Sequence, residues 1–236
     1  MLVMFVFINN FKCYIFLFMN TSYILTPINE YTYNLKILGD HVNIIYTTIQ
    51  KILKPSHIDH ETNTLIFSAE HVISFKHYLL AQPNNRLSHY TCIKLIDDLT
   101  MQLIYLKKKD FGLYGFDIDD ILTIDGTFIL CSTHYLVPLY DDTIILVTPI
   151  KQPYFSNPEL FALTILPAEI NYKCCYYSLG LLIVFSLLNN YLLVGNELKT
   201  NEEINKILYP LHNTKIYWFL KRCLDTNISN RTLLLV

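Results

Sequence analysis

The stretch from Ser178 to Gly195, SLGLLIVFSLLNNYLLVG, is apolar on nearly every side at helical spacing and carries no charge. A helix without a polar face cannot rest on the surface of a globular domain, so it either crosses a bilayer or is enclosed by other elements. The rest of the chain has to decide between the two. With 236 residues, 52% hydrophobic and 16% charged, there is material for one sizeable core and too little for several independent domains. A disordered chain is excluded, because its few apolar residues could not offset the entropy of ordering.

A second greasy stretch, MLVMFVFINNFKCYIFLFMN over residues 1–20, is interrupted by Asn9, Asn10 and Lys12. It lacks a basic leading region and a small-residue cleavage pattern, so it does not read as a signal peptide. It approaches the length of a membrane span, but its central polar trio would be costly in hydrocarbon. A membrane anchor, a buried first segment and an extension ahead of the domain all stay open.

Eighteen basic against 20 acidic residues give a formal net charge of −2, so the chain as a whole carries no polybasic footprint for nucleic acid, and none is expected as a partner. The cysteines, Cys13, Cys92, Cys131, Cys174, Cys175 and Cys223, form no CxxC array. They read as free buried thiols of a reducing, intracellular (cytoplasmic) setting rather than as a zinc site or disulfide scaffold. The short glycosylation patterns at Asn20, Asn227 and Asn230 carry no weight without a secretory context. The many Ile, Asn, Tyr and Lys residues fit an A/T-rich genome, such as that of a large DNA virus or some protists.

Between Tyr31 and Phe67, short runs such as YNLKILG, VNIIYTTI and NTLIFS point to brief strands or a helix. A short helix is expected over Ser74–Ala81, closed by Gln82-Pro83-Asn84-Asn85. In the next helix, Cys92, Ile96, Leu99, Leu103 and Leu106 make one apolar stripe, and Lys107, Lys108 and Lys109 suit its solvated C-terminal end. Asp125-Gly126 between two apolar runs signals a hairpin. Extended segments follow to Gln152. The chain then turns helical, near Pro158, over the greasy stretch, over Glu202–Leu208 and over Thr214–Leu224. A mixed first part and a helical second part indicate an α+β fold.

Five pieces in fixed order resemble the C-terminal lobe of the eukaryotic protein kinase-like superfamily. LYGFDIDDIL (Leu113–Leu122) stands where that family has its catalytic loop, and FILCSTH (Phe128–His134) where it has a strand and the metal-binding triplet. FSNPEL (Phe155–Leu160) resembles the end of the activation segment, CYYSLG (Cys175–Gly180) the start of a central hydrophobic helix, and RCLDTNISNR the arginine-bearing segment before the last helix. The resemblance implies a kinase-like fold with a mostly helical C-lobe over 74–236, a reduced or diverged N-lobe over 21–73, and the hydrophobic segment 1–20 ahead of them. It also assigns the greasy stretch to a buried helix, with Trp218 and Phe219 in a helix packed beneath it.

An active relative would move the ATP γ-phosphoryl group to Ser/Thr hydroxyls with Mg2+, using an aspartate at the substrate hydroxyl, an asparagine and an aspartate on the metal, and a lysine and glycine-rich loop on the phosphates. Anchored on Ile121-Leu122, the family's catalytic aspartate falls on Gly115, its metal asparagine on Asp120, and its metal triplet on Ser132-Thr133-His134. Another register makes Asp117 the catalytic acid. Asp117, Asp119 and Asp120 otherwise read as a solvated or capping loop, and His134 as a loop histidine. Lys36, or Lys51, is the nearest candidate for the nucleotide-binding lysine, but Gly39 is the only glycine before residue 112, so no phosphate cradle exists. Glu159 and Arg231 match the family's structural ion pair, and Cys175 replaces the aspartate that braces the catalytic loop.

The leading expectation is a degenerate, pseudokinase-like protein that needs no cofactor and serves as a binding or scaffolding module for a protein partner. The alternatives are an atypical serine/threonine kinase using Asp117 and Asp120 with ATP and Mg2+, and a membrane-associated structural protein whose membrane contact runs through residues 1–20.

Overall fold

The computed structural model describes residues 4–8, 11–15, 22–194 and 197–235, with side chains over 22–193 and 198–235. Cys13, Asn20 and most of the first greasy segment's detail lie outside the described side chains. What is described there is extended: β1 (Met4–Ile8) pairs with β2 (Phe11–Ile15) antiparallel, Ile8 opposite Phe11. Among the described residues no helix is long and apolar enough to cross a membrane.

The fold is α+β. β3 (Tyr23–Pro27), β4 (Thr32–Ile37), β5 (Ser56–Asp59) and β6 (Thr64–Ser68) form an antiparallel sheet in the order β3-β4-β6-β5. Between β4 and β5 runs α1 (Val42–Ile52). Its β-branched sequence favours strand by composition, yet Val42, Ile45, Tyr46 and Ile49 fall on one helical face and are all buried, so periodicity outweighs propensity. The Tyr46 hydroxyl pins α1 to β4 by accepting the Ile37 N–H at 2.8 Å.

The second part begins with β7 (Val72–Ser74) and α2 (Phe75–Leu80), where Ser74 caps the helix by accepting the His77 N–H. Next comes α3 (His89–Lys107), capped by Ser88; its stripe of Cys92, Ile96, Leu99, Leu103 and Leu106 is buried as the spacing predicts. Of the lysine run at its end, Lys108 and Lys109 are exposed, while Lys107 is half-buried, pairing with Asp142 at 3.1 Å with its Nζ 4.3 Å over the Tyr172 ring. β8 (Phe111–Leu113) leads into the loop 114–120, followed by the hairpin of β9 (Ile121–Ile124) and β10 (Thr127–Leu130). Asp125 and Gly126 both take positive φ (47° and 75°), which a two-residue turn of the primed kind requires. β7 lies against β9, giving the sheet β10-β9-β7.

The free edge of β10 would leave ladder groups unpaired, and α3 closes it with two side chains one turn apart. Asp98 accepts the Phe128 N–H at 2.9 Å, while Gln102 accepts from Leu130 N–H at 2.8 Å and donates to Phe128 O at 2.9 Å. Both residues are buried, so the edge is capped out of water.

β11 (Leu136–Pro138) returns to pair with β8, and β12 (Thr143–Leu146) pairs with β13 (Ala168–Asn171) across a connection that holds the short α4 (Pro158–Phe161). The greasy helix, α5, spans Cys174–Leu188 and is buried around nearly its whole circumference. It starts before Ser178 and stops short of Gly195, because Asn189 adopts the left-handed conformation (φ 49°) that ends helices. The chain continues through the two-residue strands β14 (Leu193–Val194) and β15 (Glu197–Leu198) into α6 (Asn201–Leu208), which opens with a capping box of Thr200 and Glu203. α7 (Lys215–Cys223) packs on α5 where Gly180 admits Leu224: a Cβ on Gly180 would lie 2.9 Å from Leu224 Cδ2. Phe219 is buried as expected, but Trp218 is not beneath the helix: it is 52% exposed on the outer face of α7. Cys92, Cys131, Cys174, Cys175 and Cys223 are free and buried, and burial pushes the Cys92 thiol up to about 12.

Candidate functional site

The loop 114–120 holds the residues that sequence reasoning marks for chemistry, and segment 153–157 lies along it. At Gly115 there is no room for a side chain: a Cβ there would lie 2.1 Å from Pro153 Cγ and 2.6 Å from Pro153 Cβ. The neighbouring residues tie the two segments together. Phe155 N–H donates to Phe116 O at 3.1 Å, Tyr154 N–H donates to Asp117 Oδ1, and the Tyr135 hydroxyl donates to Asp117 Oδ2. Asp117 is therefore engaged at both oxygens as a brace between the loop, the strand-flanking Tyr135 and the Tyr154 backbone.

Asp120 lies at the end of the same loop and is 3% exposed. Its Oδ1 accepts the Ser22 hydroxyl at 2.7 Å, bringing the entry to β3 down onto the loop. Its Oδ2 is buried without a well-formed hydrogen bond. His134 Nδ1 stands 3.7 Å from Oδ1. Desolvation raises the Asp120 carboxyl above its ordinary range, and the nearby Asp117 charge adds to the rise; the Ser22 and Ser132 hydroxyls and His134 act in the opposite direction and are outweighed. A divalent cation would need this carboxylate ionised and reachable, with further oxygen donors around it. Here one oxygen is taken by Ser22, the group is enclosed, and among the described residues no set of three or more His, Cys, Asp or Glu side chains is gathered to hold a metal. The residues present do not fit Mg2+.

Lys36 sits on β4, exposed between buried Leu35 and Ile37, opposite Ile24 of β3, and has no ion-pair partner among the described residues. α1 carries no acidic residue to pair with it. The structure does not bring Lys36 together with Asp117 or Asp120 through any contact. A small apolar pocket of about 160 Å³ is lined by Tyr23, Leu25, Val72, Ile73, His77 and Leu122. Neither Lys36 nor Asp117 nor Asp120 is among its lining residues. A wider groove of about 440 Å³ runs past Asp117, Asp119, Lys76, Tyr154, Phe185 and Tyr191.

Glu159 and Arg231, far apart in sequence, meet in a two-pronged pair: Nη1 to Oε2 at 2.9 Å and Nη2 to Oε1 at 2.8 Å. The Arg231 side chain is fully buried, its Nε donates to Asp225 O at 2.8 Å, and its guanidinium lies 4.9 Å from the centre of the Tyr177 ring. Each guanidinium nitrogen thus has an acceptor, and a π surface lies beside the cation.

The loop backbone is fastened to α5 by Asn157, a residue sequence reasoning did not single out. Asn157 is fully buried, donates from Nδ2 to Tyr114 O at 2.8 Å and to Ser178 Oγ at 3.1 Å, and caps α4 by accepting Leu160 N–H. Ser22 and Pro153 were missed as well. A proline, an asparagine and a serine in loops carry no periodic signal; only the Asn-Pro pair, a helix-start pattern, marks position 157.

No family model matches this chain, and no curated protein matches it in sequence.

Proposed function

We propose that the chain is a diverged relative of the protein kinase-like superfamily that has lost phosphoryl transfer and works as a binding or scaffolding module for a protein partner. Several features support the likeness. A small sheet with one helix precedes a larger helical part; a loop and hairpin are followed by a short capped helix bearing Glu159, then by an enclosed helix and the buried Arg231 that pairs with Glu159.

The observation that carries the inactive reading is Pro153 filling the space at Gly115, where an active relative holds its catalytic carboxylate. Neither a base nor an orienting group can occupy that place without moving the segment. The Ser22 hydroxyl on Asp120 points the same way, because it fastens one oxygen of the carboxylate into the fold while burial encloses the other. What remains of the machinery is structural: Asp117 fastens Tyr135 and Tyr154, and Asn157 fastens the loop backbone to α5.

A phosphotransfer assay on general Ser/Thr substrates and on the chain itself tests this. The wild type is expected to show no transfer above a no-protein control with ATP and Mg2+. Transfer that disappears in Asp117→Asn, with the fold retained by circular dichroism, would establish the atypical kinase instead.

A further inference from the structure

The outer surface of the turn after α6 and of α7 carries a run of aromatic rings, of which Tyr209, His212 and Trp218 are exposed and Tyr217 is half-buried against the core. Tyr209 and His212 are stacked at 6.1 Å between centroids, His212 meets Tyr217 at 5.2 Å, and Tyr217 meets Trp218 at 5.1 Å. Tyr209 is 73% exposed and Trp218 52%. The aliphatic residues Ile204, Leu208, Ile216 and Leu220 of the same segment are buried and Ile207 is half-buried, so what faces solvent is mainly aromatic and polar.

Charge is arranged around these rings. From Ile204 to Leu224 the chain has Lys206, Lys215, Lys221 and Arg222 and no acidic residue; the carboxylates of this region are Glu202 and Glu203, in the first turn of α6, and Asp225, after α7. Lys215 and Lys221 sit three residues before and after Trp218, on its face of α7, and both are exposed. Among the described residues Lys215 forms no ion pair, and Lys221 donates to the neutral Asn205 Oδ1 at 2.8 Å. Arg222 turns away to the carbonyl of Leu234, and Lys206 is shared with Glu202 at 3.9 Å, so the two lysines beside Trp218 are the available cations.

We infer that this face binds single-stranded nucleic acid, with bases stacked on Trp218 and Tyr209 and the backbone phosphates on Lys215 and Lys221. Exposed rings alternating with cations are what sequence-tolerant single-strand binding uses: every base offers a π face, and each phosphate a charge. Protein-binding surfaces favour aromatic residues too, but lysine is depleted from them and here lysine flanks the central ring. The inference is independent of the kinase-like reading, since no residue of the loop 114–120 takes part.

Trp218 is the only tryptophan in the chain, so its own fluorescence reports the contact. Titrating a single-stranded oligothymidylate into the full chain should quench the emission saturably. Two phosphate contacts predict that a fourfold rise in salt weakens binding about sevenfold. Followed by anisotropy of a labelled oligonucleotide, Trp218→Ala should weaken binding about tenfold, whereas Trp218→Phe should stay near wild type. The double variant Lys215→Ala/Lys221→Ala should weaken binding and flatten the salt dependence. Absence of saturable quenching overturns the inference. Equal quenching by a duplex of the same length would mean charge attraction without stacking, and equal quenching by polyglutamate would mean an acidic protein partner; either result overturns it also.

Discussion

At the scale of single residues, the most consequential group is Arg231, a cation with no solvent contact whose net cost is met by Glu159 and the Tyr177 ring. Removing its partner leaves the charge stranded. Glu159→Gln should therefore destabilise the fold by about 3 kcal/mol or more in urea unfolding, while replacing both members with apolar residues of similar size should cost less than that single change. Gly115 makes the reverse case, a site where adding an atom is harmful. Gly115→Ala should destabilise by about 1–3 kcal/mol through overpacking against Pro153, and Pro153→Ala in the same chain should recover part of the loss. Asp120 gives a pH signature. Its folded carboxyl binds a proton more readily than the unfolded one, so its contribution to stability is greatest in acid and declines as pH rises from about 4 through its raised folded value. Denaturant midpoints measured across that window should show this decline in the wild type and a flatter profile in Asp120→Asn.

At the scale of elements, the fold depends on how edges and ends are closed. The cap that Gln102 places on β10 replaces two ladder bonds, so Gln102→Leu should leave Leu130 N–H and Phe128 O unpaired and cost about 3 kcal/mol, read in thermal or urea unfolding. Periodicity made much of this level legible in the sequence. The stripe of α3, the Asp125-Gly126 hairpin and the limits of α6 and α7 follow from spacing and capping residues alone. α1 was ambiguous because its run is short and β-branched, and the end of α5 was misplaced because Asn189 takes a conformation that hydropathy does not register. Glu159 and Arg231 could be marked from sequence, yet the closure of the site by Ser22 and Pro153 could not. Those contacts are made between loops, where residue type is weakly constrained and partners lie far along the chain.

At the scale of the whole molecule, the small sheet with α1 and the helical part are joined by specific polar contacts as well as packing. Ser22 reaches Asp120, the Thr133 hydroxyl donates to Leu38 O at 2.9 Å, and the His41 ring meets Phe111 at 4.9 Å. Such contacts join the small sheet and α1 to the loop 114–120, to β8 and to the segment after β10. Net charge, informative for the whole chain, says nothing about local distribution, which is how a protein of charge −2 can present Lys215 and Lys221 on one face of α7, a helix without an acidic residue. The central claim, that the inter-part site is closed to a metal-bound nucleotide, is tested most directly by calorimetric titration of ATP into the full chain with and without Mg2+. The account predicts no Mg2+-dependent binding heat; saturable binding that requires Mg2+ and is lost in Asp120→Asn would contradict it.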